Sequence, residues 1–166
     1  ESRINKIFPN TKIFIENRSG TLYRQGSFLI SKDIDMVNLS ELIDKRKLSL
    51  RIVLDIPQLL TAHSINNKTE DKLIEAVTNL KKCAGNIEGI HLWGKKTGKN
   101  GRMVSHAGDL NTYFFNSNSF KKIFLEHIFK LFNDKKARYF VPEVNSSESD
   151  LKSIVVDLIE SGFKFV

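Results

Sequence analysis

Residues 48–55 read LSLRIVLD, and Pro57 stands two positions further on. Five of these eight residues are apolar, and the run ends on an acid ahead of a helix breaker. A short apolar run closed by a turn signal is the pattern of a strand buried on both faces. Three other stretches share it: TKIFIEN (11–17), GIHLW (89–93) and RYFVPEV (138–144). Between and after them the apolar period changes to that of a helix. Leu39, Leu42 and Ile43 keep helical spacing, with Asn38 placed to cap and Glu41 three residues later. Residues 69–84 predict a second helix, striped by Leu73, Ile74, Val77 and Leu80 with Glu70 and Asp71 in its first turn. Phe120, Ile123, Phe124, Ile128 and Leu131 mark a third. Leu151, Ile154, Val155, Leu158 and Ile159 mark a fourth, with Ser147 and Asp150 as a capping-box pair. Residues 20–35 read as a long loop with a small extended piece at 28–31, and residues 94–109 as a polar, glycine-rich loop.

A βα unit repeated four times predicts an α/β fold: a parallel four-stranded sheet in sequence order, covered by helices, with right-handed crossovers. The 166 residues suit one domain over 1–166 and can enclose a sizeable core. Forty per cent hydrophobic against 27% charged residues argues against a disordered chain. Lys and Arg number 26 against 19 Asp and Glu, a net charge of +7, which suits an anionic partner. The single cysteine, Cys83, rules out an intrachain disulfide framework and fits a reducing, cytoplasmic compartment. It reads as a buried structural thiol. No apolar run approaches the ~20 residues that span a bilayer, so no membrane partner is expected. The first ten residues carry no signal-peptide core. The chain opens at Glu1 without a methionine and reads as part of something longer.

In parallel α/β folds, chemistry collects where strands end. Each of the four strands ends on, or carries near its end, a side chain able to hold a metal: Glu16, Asp55, His91 and Glu143. Side chains alternate along a strand, so if Phe14, Val53 and Val141 face inward, Glu16, Asp55 and Glu143 do too. Three carboxylates and an imidazole at one mouth repel unless a cation lies among them. Their O,O,O,N set allows manganese, zinc, magnesium or iron. Lys95, Lys96, Lys99 and Arg102 fall within eight residues interleaved with glycines, just after the third strand. They make either a phosphate-binding loop over the mouth or a mobile solvated one. Trp93 beside them either stacks on a sugar or base or packs the rim. His63 and His127 read as packing and rim residues.

The pieces FIENRSG (14–20), RIVLDIPQLL (51–60), GIHLWGKKTG (89–98), VSHAGDLNTYF (104–114) and VPEV (141–144) resemble the C-terminal half of the xylose isomerase-like TIM barrels. That superfamily includes sugar isomerases and epimerases and metal-dependent apurinic endonucleases. The resemblance implies half of a TIM barrel, the last four of its eight strands. The rest would come from a missing N-terminal half or from a second copy in a homo-oligomer. It implies Glu16, Asp55, His91 and Glu143 as ligands of one divalent ion. Glu16 and Glu143 would also be catalytic, on opposite sides of a sugar or sugar-phosphate carbon, with His106 as a further acid–base group. Asp109 would lie with Trp93 and the cations on the substrate side. The endonuclease branch, acting on DNA, uses more ligands. Its histidine three residues after the Asp is Gln58 here, and its Asp-x-His pair is Val104 and His106. A truncated, non-catalytic half-barrel is the third reading.

Overall fold

The computed structural model describes residues 2–20 and 30–166. Its four core strands are β1 (Ile13–Glu16), β2 (Leu50–Asp55), β3 (Ile87–Leu92) and β6 (Tyr139–Pro142). They lie side by side in the order β1-β2-β3-β6, every pair parallel. The sequence-order parallel sheet is therefore present; β1, β2 and β6 are shorter than expected by one or two residues at an end, whereas β3 starts two residues before Gly89 and ends one before Trp93. β1 and β6 are its two edges, and no barrel is closed among the described residues.

The register explains which residues face which way. Ile52 pairs with Ile87, but the next residue, Val53, pairs with Gly89. Glu88 is thus an extra residue in β3, a bulge that shifts its alternation by one. Before the bulge Ile87 is fully buried on the helix side. After it, Gly89 and His91 share the opposite face with Val53 and Asp55. Were the alternation unbroken from Ile87 through Glu88, His91 would point into the helices. The face is concave enough for its two edges to meet through their side chains. Strands ~4.8 Å apart place the first and fourth roughly 14 Å from each other, yet the rings of Phe14 on β1 and Tyr139 on β6 meet at 6.1 Å, edge to face.

Helices cover the convex side. Ile52, Leu54, Ile87, Ile90 and Leu92 pack there against α2 (Asp33–Arg46), α4 (Glu70–Leu80), α6 (Asn118–Leu131) and α7 (Glu148–Glu160). Several boundaries differ from the expected ones. α2 begins well before Asn38, which lies inside it with Glu41. Asp35 closes the start by accepting from the backbone of Ser31 and Lys32 at 3.0 and 2.9 Å. Asp33 is buried there, within 2.8 Å of His63 Nε2 and bonded by Asn79 at 2.7 Å. His63 therefore faces a buried carboxylate rather than only apolar neighbours. Of the extended piece expected at 28–31, residues 28 and 29 lie outside the described residues, and Ile30 and Ser31 form no strand. α4 is shorter than 69–84 and gives way to turns and a single 3-10 turn. Ser147 caps α7 through Asp150 N, but the Asp150 carboxylate does not return the bond; it accepts from Ser146 and Lys96.

Further elements were not foreseen. α1 (Ser2–Ile7) precedes the sheet, and α3 (Ile56–Ala62) starts directly from the end of β2. The polar segment after β3 is an antiparallel hairpin, β4 (Lys95–Thr97) with β5 (Met103–Ser105), followed by the single turn α5 (Leu110–Tyr113). Among the described residues no helix is long and apolar enough to cross a membrane. Cys83 is buried and its thiol is pushed up to about 12, mainly by burial.

Candidate metal centre

Glu16 closes β1, Asp55 closes β2, His91 is the fifth residue of β3, and Glu143 follows β6, its N–H continuing the ladder to Leu92 O at 3.1 Å. Parallel strands carry all four to one end of the sheet, on its concave face. Glu16, Asp55 and His91 each bring a ligand atom within 4.8 Å of the other two. Nδ1 of His91 lies 2.9 Å from Glu16 Oε1 and 3.3 Å from Glu143 Oε1. The second oxygen of Glu143 is 3.5 Å from His106 Nδ1. Glu143 therefore bridges two imidazoles, on the flank of the tighter three-residue group.

Asp55 is the buried member, 3% exposed. It is also the N-cap of α3: Oδ1 accepts from Gln58 N at 3.0 Å, with Pro57 in the first turn. Pro57, read as a stop signal for the strand, starts a helix instead. Oδ2 accepts from Trp93 Nε1 at 3.1 Å. Burial pushes the Asp55 carboxyl up, the bonds from Gln58 and Trp93 pull it down, and the charges of Glu16 and Glu143 raise it again, to about 6. Three carboxylates thus share one mouth with little positive charge among them, and a single His91 nitrogen faces two of them. That is the electrostatic deficit a divalent cation fills, and carboxylate oxygen with imidazole nitrogen is a suitable donor set. The residues fit one ion.

Asn17, not singled out from the sequence, is completely buried. Its side chain donates to Asp55 O at 3.0 Å and accepts from Asp55 N at 2.8 Å, carrying the β1–β2 pairing past the end of the ladder. An amide directly after a strand-terminal acid was the available signal. Gln58, in the place of the endonuclease histidine, turns its carbonyl to the N–H and hydroxyl of Ser19 and braces the chain leaving β1. Val104 is an exposed residue of β5.

The remaining candidates separate. Trp93 is buried, and its ring lies 4.4 Å from that of His106 at a 30° tilt, so it spends one face on a protein side chain. His106 holds a left-handed conformation, φ 58°, which turns its ring toward Trp93 and Glu143. Asp109 caps α5, accepting from Thr112 N, Asn111 and Ser153 at 2.9, 2.9 and 2.8 Å. Burial raises its carboxyl, but these donors outweigh it and hold the group below the usual carboxylate range. It is engaged as a cap. Lys96 pairs with Asp150 at 3.3 Å, Lys99 and Arg102 are exposed around the hairpin turn, and Lys95 lies over the Tyr113 ring at 4.5 Å. The hairpin is tied down by Ala107 N to Gly94 O at 3.2 Å. At Gly94 an added Cβ would stand 2.3 Å from Gly108 O, so only glycine fits. The segment is thus a docked hairpin rather than a glycine-rich loop without partners.

In comparisons with known proteins, no family model matches this chain and no curated protein is significantly similar to it.

Proposed function

We propose that this chain is the metal-binding half of a divalent-metal-dependent enzyme of the xylose isomerase-like type, isomerising or epimerising a sugar or sugar phosphate at one metal site. The observation that carries the reading is the convergence of Glu16, Asp55 and His91 at one end of a parallel sheet, with Glu143 shared between His91 and His106. Glu16, Asp55 and His91 would hold the ion, with Glu143 closing the set from the side. When bound, the ion supplies electrophilic polarisation of a substrate carbonyl and orients two adjacent oxygens.

The chain's own groups supply the rest. Glu16 and Glu143 flank His91 from strands at opposite edges of the sheet, so a substrate carbon between them would meet a carboxylate on either side. One removes a proton and the other returns it. His106 Nδ1, 3.3 Å from the Glu143 backbone oxygen and 3.5 Å from its Oε2, lines Glu143 on the partly exposed side of the site. Trp93 and Asn17 hold the buried Asp55 in place. The concave sheet reads as the later half of a (β/α)8 barrel, its free edges β1 and β6 to be paired by another segment or a second copy.

A second reading, phosphodiester hydrolysis on DNA, is favoured by the net charge of +7. The two residues that replace extra ligands weigh against it. Gln58 is engaged with Ser19 and Val104 has no donor atom. Calorimetric titration with Mn²⁺ or Zn²⁺ separates the readings: one ion per chain supports the isomerase type, two or three the hydrolase. No binding removes both and leaves a non-catalytic half-barrel. Incubating the metal-loaded protein with ketoses in D₂O then tests the chemistry. Deuterium entering the carbon next to the carbonyl is expected, and its absence over a broad ketose panel would overturn the isomerase reading.

A further inference from the structure

The fold treats the four cations after β3 unequally. Lys96 is committed to Asp150. Lys99 and Arg102 stand in water around the hairpin turn. Lys95 is different. It sits at the hairpin base, half-buried, with its ammonium over the face of Tyr113 at 4.5 Å. Tyr113 is buried, and its ring meets Trp93 edge-on at 6.4 Å. Trp93 in turn donates to Asp55. A chain of contacts thus links the Lys95 ammonium to the metal-centre carboxylate, while no carboxylate touches Lys95 itself. Among the described residues no protein acceptor takes its N–H groups.

This is an uncommon way to hold a lysine. The side chain normally lays its stem on apolar surface and leaves its charge in water. Here part of the hydration is lost and only an aromatic face replaces it. Burial lowers the Lys95 pKa below the usual lysine value, the direction expected of a cation without a counterion.

We propose that Lys95 is the oxyanion-recognition residue of this mouth, holding a phosphate or carboxylate group of the substrate above the Tyr113 ring. The inference rests on the reading of the mouth as a substrate site, and narrows its substrate to an anionic one. Of the four cations, only Lys95 would then set specificity.

The test uses metal-free protein with ¹³C at lysine Cε, titrated with inorganic phosphate and separately with acetate at constant ionic strength. Through-bond correlations assign Lys95. Its resonance should move saturably, while those of Lys96 and Lys99 follow only the bulk salt. A response to phosphate alone assigns a phosphorylated substrate; a response to acetate alone assigns a carboxylate. Lys95→Met, which keeps the stem on Tyr113, should weaken phosphate at least ~10-fold, and Lys95→Arg and Lys99→Met should not. Should the Met variant fail to fold, the parent titration and Lys95→Arg still decide. Uniform drift of all lysines, or no saturation at Lys95, overturns the proposal. A parallel Mn²⁺ titration keeps the two ideas apart: loss of phosphate binding with metal binding intact in Lys95→Met supports this one, whereas a parent that binds phosphate at Lys95 but no metal sinks only the enzyme reading.

Discussion

The side-chain amide of Asn17 bonds both backbone groups of Asp55, at 2.8 and 3.0 Å. Neither partner is reached by water. Replacing Asn17 with Ala strands a buried N–H and a buried C=O, which costs about 2–4 kcal/mol. It also releases the ends of β1 and β2 from each other, so Glu16 and Asp55 lose their fixed separation. We expect Asn17→Ala to lower stability by that amount in urea melts and to weaken Mn²⁺ binding ~10-fold or more. A variant as stable as the parent would show that the strand ends are held by something else.

The buried carboxyl of Asp55 gives a pH prediction with a definite sign. Raised to about 6 from ~4 in an unfolded chain, it binds its proton more tightly when folded. The metal-free protein therefore gains nothing from this group at high pH. Its contribution is most favourable below ~4 and falls away as pH climbs through about 6, by about 3 kcal/mol in all. Asp55→Ala removes that slope. Its stability deficit relative to the parent should shrink by a similar amount between pH 4 and pH 7, read from urea melts at both. Metal affinity runs the other way. Below about 6 the ion must displace the proton, and Mn²⁺ binding should weaken ~10-fold per pH unit. Equal deficits at both pH values would mean the carboxyl is not raised.

Trp93 sets where that titration falls. Its N–H donates to Asp55 Oδ2 at 3.1 Å and favours the ionised form. Trp93→Phe keeps an aromatic ring against His106 and removes the donor. The carboxyl should climb further, and the pH midpoint of Mn²⁺ binding should move up by about one unit. Calorimetry across a pH series reads this directly; an unmoved midpoint would make the indole a packing residue only.

The sheet was legible because four short apolar runs alternate with helical periods, and that alternation has few parallel solutions. The site was legible for a narrower reason: strand-terminal residues of parallel strands share one end. What could not be read follows from longer-range geometry. The bulge at Glu88 decides that His91 faces Asp55, and nothing within GIHLW announces it. The fate of Lys95 to Arg102 depended on Gly94 meeting Gly108 and on Asp150 meeting Lys96, contacts between distant segments. That Asp109 caps α5 was not legible, because a capping carboxylate and a binding one have the same sequence appearance after a glycine. The start of α2 was missed because Asp33, a charged residue, is buried against His63, against the usual tendency of its type.

The relation between Glu16 and Glu143 allows the sharpest test of the centre. Both approach His91 Nδ1, at 2.9 and 3.3 Å, but only Glu16 belongs to the mutually close group with Asp55. Glu143 is also drawn toward His106. If the ion is held chiefly by Glu16, Asp55 and His91, removing one charged ligand of that group is severe, whereas Glu143 acts from its flank. Glu16→Gln should lower Mn²⁺ affinity more than ~100-fold and Glu143→Gln only ~10-fold. Deuterium exchange into substrate should fail in both, because each would lose one of the two carboxylates that the proposed function sets on either side of the reacting carbon. Glu143→Gln would then be a variant that binds the ion and does no chemistry. Equal loss of metal in the two variants would make Glu143 a full fourth ligand. Retained exchange in Glu143→Gln would remove it from proton transfer and leave Glu16 as the base to be examined.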